Sequence, residues 1–285
     1  MGFLVAIANA AAVSFQDVLV KKLTGENKFF LIWARVAGAL PALALLVTVF
    51  GFWSIPPWPF WMLIVGVSAP LEVLAFWLGY TALQKMPLSL AAPLHGFTGV
   101  FLIPVGYFIL GEVPSIIGLA GVLSVFAGAS FLGRGGPKGG LAGSFRNVLA
   151  TPGSWAILAA AFIVTVPISI AKISFRYAPP LLTAFYITAA VALFLLPLAF
   201  YGGIGVRIRG NGRLIIGSAL ISAVSFSLHY TGLSLLQAAY FISTKRLSIL
   251  FNVLYGKMFF REDHTRERLI GALLMVAGVI LIALG

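Results

Sequence analysis

Gln237–Phe260 reads QAAYFISTKRLSILFNVLYGKMFF, a mostly apolar run with Lys245 and Arg246 side by side inside it. A hydrocarbon core of ~30 Å needs ~20 apolar residues to be crossed as a helix, and this run is long enough. Each cation deep in such a helix costs ~2.5–3.5 kcal/mol on the lenient insertion scale. Charges at that cost face a protein interior or a watery path, not lipid. The stretch reads as one wall of a polar cavity inside a membrane protein.

Composition agrees. Of 285 residues, 61% are hydrophobic and 9% charged, where soluble domains carry ~25% charged residues. Such a chain cannot cover itself with a polar surface, so it is read as all-α and integral to the membrane. The net charge is +12. Lys and Arg fall mostly between apolar segments, so their partner is the anionic face of a lipid bilayer and not a nucleic acid. Cysteine is absent, which excludes disulfides, thiol catalysis and Cys-ligated metal. No cofactor is expected.

Apolar runs divided by Gly, Pro or charge predict ten transmembrane helices, near 3–21, 29–50, 59–83, 87–110, 114–132, 154–176, 180–201, 212–235, 238–260 and 266–284. Between the fifth and sixth lies Gly133–Gly153, GRGGPKGGLAGSFRNVLATPG, read as a flexible cytosolic linker. Its glycines lack the G-x-x-x-x-G-K-[ST] pattern of a phosphate loop.

The linker separates two similar halves, 1–132 and 154–285. A shift of 150 (230 − 80) lays Tyr80-Thr81-x-Leu83 on Tyr230-Thr231-x-Leu233. It also pairs Phe101 with Phe251, Gly106 with Gly256, Glu112 with Glu262, Gly121 with Gly271, and Ala127-Gly128 with Ala277-Gly278. Five helices per copy is an odd number, so the second copy enters the membrane upside down. Inverted five-helix repeats are a route to alternating access, with the binding site where the repeats meet.

On these signs, together with Arg35 early in the second helix and Gly111-Glu112 followed by Gly121 and Gly128, the chain resembles the EamA type of the drug/metabolite transporter superfamily. The resemblance spans essentially the whole chain. It implies a ten-helix transporter whose helices one, three, four, six, eight and nine line a central cavity. The superfamily exports or exchanges amino acids, drugs, nucleotide sugars and phosphorylated metabolites, which leaves the substrate open.

Charge sets an expected orientation. Connections after odd-numbered helices hold 14 Lys and Arg, while those after even-numbered helices and the two ends hold only Lys172 and Arg176. The positive-inside rule places the odd connections in the cytosol and both chain ends outside. The membrane is expected to be the plasma membrane, and the protein a monomer or homodimer.

Polar residues inside the predicted helices are the candidate site. Glu72 shares a face with Phe76, Gly79 and Ser68. It reads either as a proton carrier for coupling or as half of a buried pair with Arg35 or Arg246. His95 and Lys245 are repeat mates (245 − 95 = 150). Each His is a reader of substrate or a proton carrier, or else a satisfied core residue. His229 lies with Ser218, Ser222 and Ser225 on a small-polar stripe that suits close helix packing as well as a pore wall. On a regular ninth helix Lys245, Ser248, Asn252 and Tyr255 form a polar ribbon, and Arg246 turns ~100° away. Both cations also reach the interface by snorkelling in the bland reading. The adjacent Lys-Arg is similar to the phosphate-contacting pair of the plastid phosphate translocators, a resemblance confined to Lys245 and Arg246. Asn9 and Gln16 share a face of the first helix. Asp17 pairs with Lys21 in the simplest reading. Trp53, Trp58 and Trp61 read as interfacial anchors.

The leading expectation is a secondary transporter for a small polar, anionic organic metabolite. It binds substrate through Lys245, Arg246, Asn252, His95, Tyr80, Tyr230 and His229, and couples by exchange or by protons through Glu72. Within transport, the alternative is an exporter of amphipathic or aromatic compounds, with Trp33, Trp77, Tyr80, Tyr186, Tyr230 and Tyr240 along the path. From another class comes an intramembrane enzyme. Against it stand the missing H-E-x-x-H and G-x-S-x-G patterns and the lack of paired carboxylates.

Overall fold

A computed structural model describes residues 1–22, 28–85, 88–132, 152–201, 212–260 and 266–285. The described residues form helices and no strands. In chain order these are α1 (Gly2–Lys22), α2 (Lys28–Val49), α3 (Trp58–Trp61), a π-helix (Met62–Ser68), α4 (Ala69–Lys85), α5 (Leu88–Leu110) and α6 (Ile116–Leu132). There follow α7 (Ser154–Ile163), α8 (Thr165–Ser174), α9 (Pro180–Phe200), α10 (Gly212–Leu235), α11 (Ala238–Lys245), α12 (Leu247–Phe260) and α13 (Arg266–Leu284). Six described stretches are long and apolar enough to cross a membrane, and three shorter helical runs are strongly apolar. Most of the predicted linker, 133–151, lies outside the described residues.

Three of the predicted spans are interrupted, two of them beside a proline. Pro70 has no N–H for the carbonyl of Gly66, and the chain widens into the π-helix just before it; the Ala69 N–H reaches back five residues to the Ile64 carbonyl. Pro167 likewise deprives the Ile163 carbonyl, where α7 ends and Val164 joins it to α8. The third break, at Arg246 between α11 and α12, has no proline behind it. The Arg246 N–H bonds the Ser243 carbonyl three residues back (3.0 Å), giving one tight turn at the charged pair. The regular ninth helix assumed from sequence is therefore two helices. The ribbon from Lys245 to Tyr255 crosses the break, and Arg246 is its joint.

Helices α6 and α13 cross so closely that glycine is required. A Cβ on Gly121 would sit 2.6 Å from the Gly278 carbonyl oxygen, and one on Gly278 would sit 2.7 Å from that of Gly121. A Cβ on Gly128 would meet the Gly271 oxygen at 2.6 Å. The two helices run antiparallel, since early residues of one meet late residues of the other. Val125 and Met275 fill the space between these glycines. The main core lies elsewhere, where Leu43 and Val47 of α2, Phe60, Ile64, and Leu182, Ile187 and Leu195 of α9 are fully buried around Phe241 of α11. Outward-facing Leu45, Phe108, Ile116, Leu193 and Leu273 are exposed, as expected where the solvent is hydrocarbon.

Both chain ends meet the same end of the bundle. A Cβ on Gly2 would lie 2.8 Å from Leu236 Cγ, and one on Gly285 would lie 2.6 Å from the Gly118 nitrogen. Helix α5 stops there at Gly111, whose φ of +69° needs no Cβ. Its N–H bonds the Tyr107 carbonyl (3.1 Å), the αL type of helix end, and the Glu112 N–H bonds the Gly106 carbonyl (3.2 Å). The Gly-Glu pair of the sequence is thus a helix stop followed at once by an aimed carboxylate.

Candidate functional site

Lys245 closes the last turn of α11, and from there its ammonium donates to Nδ1 of His229 on α10 (3.2 Å). With Lys245 as a charged ammonium, Nδ1 accepts this bond and the imidazole proton sits on Nε2. Two rings hold the imidazole edge-on, Tyr230 at 5.2 Å and Phe241 at 5.1 Å. Close packing of Phe241 on Gly232 fixes that wall, for a Cβ there would come within 2.9 Å of the ring.

Around this pair lie further charges, Arg246, Arg35 and Glu72 partly buried and Asp17 exposed. Lys245 interacts electrostatically with Arg246, Arg35, Asp17 and Glu72, and Glu72 in turn with Tyr230. Among the described residues three cations thus act at the site against two acids, a formal excess of one positive charge. Glu72 sits on α4 one turn beyond the π-helix, and among the described residues it makes no hydrogen bond or ion pair. The expected direct pairing of Glu72 with Arg35 or Arg246 is therefore absent, and Lys245 is the charge it answers.

Helix α1 supplies the floor. Asn9 Nδ2 donates to the carbonyl (2.6 Å) and to Oγ (3.2 Å) of Ser225. Gln16, with its amide carbonyl turned toward α2, accepts from Arg35 Nε and Nη1 (3.1 Å each) and from Ser222 Oγ (2.6 Å). Ser222 and Ser225 of the α10 stripe are therefore bonded to α1 and not left open, while Ser218 Oγ donates to the Ile215 carbonyl of its own helix (2.8 Å). Arg35, which sequence noted as a family sign, is positioned by Gln16, which sequence noted only as a polar face. Asp17 acts on Arg35 and Lys245, a role that sequence spacing did not reveal.

The structure brings together Lys245, Arg246, His229, Tyr230 and Glu72. The side chains of Tyr80, His95 and Asn252 lie outside the described residues. The proposed aromatic path is scattered. Trp33 packs on Phe200 (5.1 Å), Tyr186 on Trp61 (4.8 Å), and Tyr240 accepts a bond from the Ser115 N–H (2.9 Å). Trp77 faces outward. Trp53 and Trp58 are exposed beside the connection from α2 to α3, whereas Trp61 is partly buried, with Nε1 donating to the Pro56 carbonyl (3.0 Å).

No curated protein matches the chain. One solved structure, described only as a crystal structure of a protein, superposes with a TM-score of 0.82 at 17% identity, over 99% of this chain and 98% of that one. That likeness concerns the fold alone. The model of the EamA-like transporter family matches residues 1–134 and again 151–284. With nearly all of its length so matched, this multi-pass membrane protein belongs to the EamA-like transporter family.

Proposed function

We propose that the protein is a secondary transporter that carries a small polar, anionic organic metabolite across the plasma membrane by alternating access. The observation that carries the reading is the surplus cation at Lys245. It lies at a helix break, is oriented by His229, and among the described residues shares its surroundings with Arg246 and Arg35 against Asp17 and Glu72. An anionic group on the substrate neutralises that surplus. Arg246 offers a planar fork for a carboxylate or phosphate, and Lys245 a point charge. Interrupted helices at binding depth are how transporters present backbone and charge to a ligand. We place Tyr230 and His229 on the wall of the cavity, with Asn252, His95 and Tyr80 as further contacts.

The cycle follows from the halves. Two five-helix units, 1–132 and 154–285, each matched by the family model, are inverted copies that rock about the site, giving ten spans in all. The antiparallel crossing of α6 on α13, built on glycines at a 150-residue spacing, supports that symmetry. Glu72, unpaired near Lys245, is the coupling residue. It takes up a proton on one side of the membrane and releases it on the other, unless transport runs by exchange. The second reading, an exporter of amphipathic or aromatic compounds, draws on the Tyr230 and Phe241 rings at the same site and predicts ligands held by apolar contact. Family members are transporters, which argues against the enzyme reading.

The test is a thermal-shift screen of the purified protein against organic acids, amino acids and sugar phosphates, followed by flux of any hit in proteoliposomes. A selective anion raises the melting temperature by mass action, and its flux saturates and shows counterflow. Stabilisation by uncharged aromatics alone would put the second reading first.

A further inference from the structure

Away from the binding site, Glu112 and Lys172 form an ion pair that ties the first family-matched half of the chain to the second. Lys172 Nζ, near the end of α8, donates to Glu112 Oε1 and to the Leu236 carbonyl. Glu112 Oε2 accepts the Ala238 N–H (2.7 Å), the first residue of α11. Beside it the Tyr240 hydroxyl accepts from the Ser115 N–H (2.9 Å), and Gln237 Nε2 reaches the Val113 carbonyl (3.4 Å). One segment, 111–115, is thereby fastened to α8 and to the turn that starts α11.

Three features make this fastening more than a brace. It spans the two units whose relative motion alternating access requires. It stands at the end of the bundle where Gly2 and Gly285 also lie, so it closes that end. And it grips the first turn of the eight-residue helix whose last turn carries Lys245, ~10 Å away at 1.5 Å per residue. Both side chains are partly exposed at this end of the bundle, 19% and 16%. The pair can therefore part without stranding a charge in an apolar interior.

We propose that Glu112 and Lys172 are a breakable latch, closed in this structure, that must open for substrate to pass the end of the bundle carrying the 111–115 and 236–237 connections. The proposal rests on the alternating-access reading. Opening costs the ion pair, the bond to the Leu236 carbonyl and the cap on Ala238, and frees α11 to move with Lys245.

Spin labels on cysteines at Val113 and Tyr177, both exposed and introduced into a chain with no native cysteine, test it in lipid vesicles without any ligand. Pulsed electron resonance should give two distance populations. Lys172→Met and Glu112→Gln should each raise the long-to-short ratio about two- to fivefold, the scale of a partly exposed ion pair. Lys172→Arg, which keeps the charge, should stay near the parent. Should Lys172→Met not fold, Glu112→Asp, one methylene shorter, should move the ratio the same way. A single short distance in the parent and every variant, with only the melting temperature lowered, makes the pair a static brace and overturns the latch. Solute flux in the same vesicles is read separately, so the carrier reading and the latch fail by different measurements.

Discussion

Lys245 donates to His229 Nδ1 across 3.2 Å, joining the end of α11 to α10 where, among the described residues, three cations act together with two acids. The bond aims the ammonium while leaving two of its three protons for a ligand. His229 is in this sense a positioning residue, and its own contribution to affinity passes through Lys245.

Two substitutions separate those roles. Lys245→Ala should weaken binding of the best screened anion by about 10- to 100-fold, the scale of a charge-assisted hydrogen bond. His229→Phe keeps a ring between Tyr230 and Phe241 but offers no acceptor, and should weaken binding by less. In the Lys245→Ala background His229→Phe should add little, because the group it aims is gone. Arg246→Lys keeps the charge and loses the fork, so it should hurt carboxylate or phosphate binding more than Lys245→Arg does. Parental affinity in both Lys245→Ala and Arg246→Ala would end the anion reading.

Glu72 makes no hydrogen bond or ion pair among the described residues, so neutralising it breaks no direct contact there. Glu72→Gln should fold normally, with stability within about 0.5 kcal/mol of the parent. If Glu72 carries the proton, net transport in that variant loses its pH dependence while counterflow exchange survives. A well-folded Glu72→Gln protein with the parent's pH profile removes the residue from coupling.

Packing at the α6–α13 crossing admits a prediction that needs no ligand. At Gly128 a Cβ would press on the Gly271 carbonyl oxygen and the Met275 backbone nitrogen, both parts of a helix that cannot step aside alone. Gly128→Ala should destabilise by ~1–3 kcal/mol, the usual cost of overpacking, and Gly128→Leu by more. Gly66, with open space where its Cβ would lie, is the control, and Gly66→Ala should leave the melting temperature nearly unchanged.

Much of this was legible in the sequence because hydropathy and the 150-residue shift are properties of the chain itself. The helices, the symmetric glycines and the Lys245-Arg246 pair all follow from them. What spacing could not supply were partners brought in from other helices. The serines of α10 look alike in sequence, yet Ser222 and Ser225 are spoken for by Gln16 and Asn9. A polar ribbon drawn on a regular helix assumed hydrogen bonding that the turn at Arg246 abandons. Lys172 entered only as an exception to the charge rule. Yet the step that carries Glu112 to Glu262 also carries Lys172 back to Lys22, a signal in plain view; those two side chains lie outside the described residues.

Orientation is the remaining expectation. Fourteen cations in the odd connections against two elsewhere predict that both chain ends and the Glu112–Lys172 latch face outward and that 133–153 is cytosolic. Gly2 and Gly285 share one end of the bundle with the 111–118 and 235–237 segments, so a single sidedness should hold for all of them. The native chain has no cysteine, so each site can be interrogated alone. In intact cells an impermeant thiol reagent should label Leu284→Cys, which is exposed. It should label Gly140→Cys only after the membrane is opened. The reverse pattern would turn the molecule over. The latch would then close its cytosolic end, and the outward mouth would be the one lined by the basic connections, which would draw an anionic substrate in from outside.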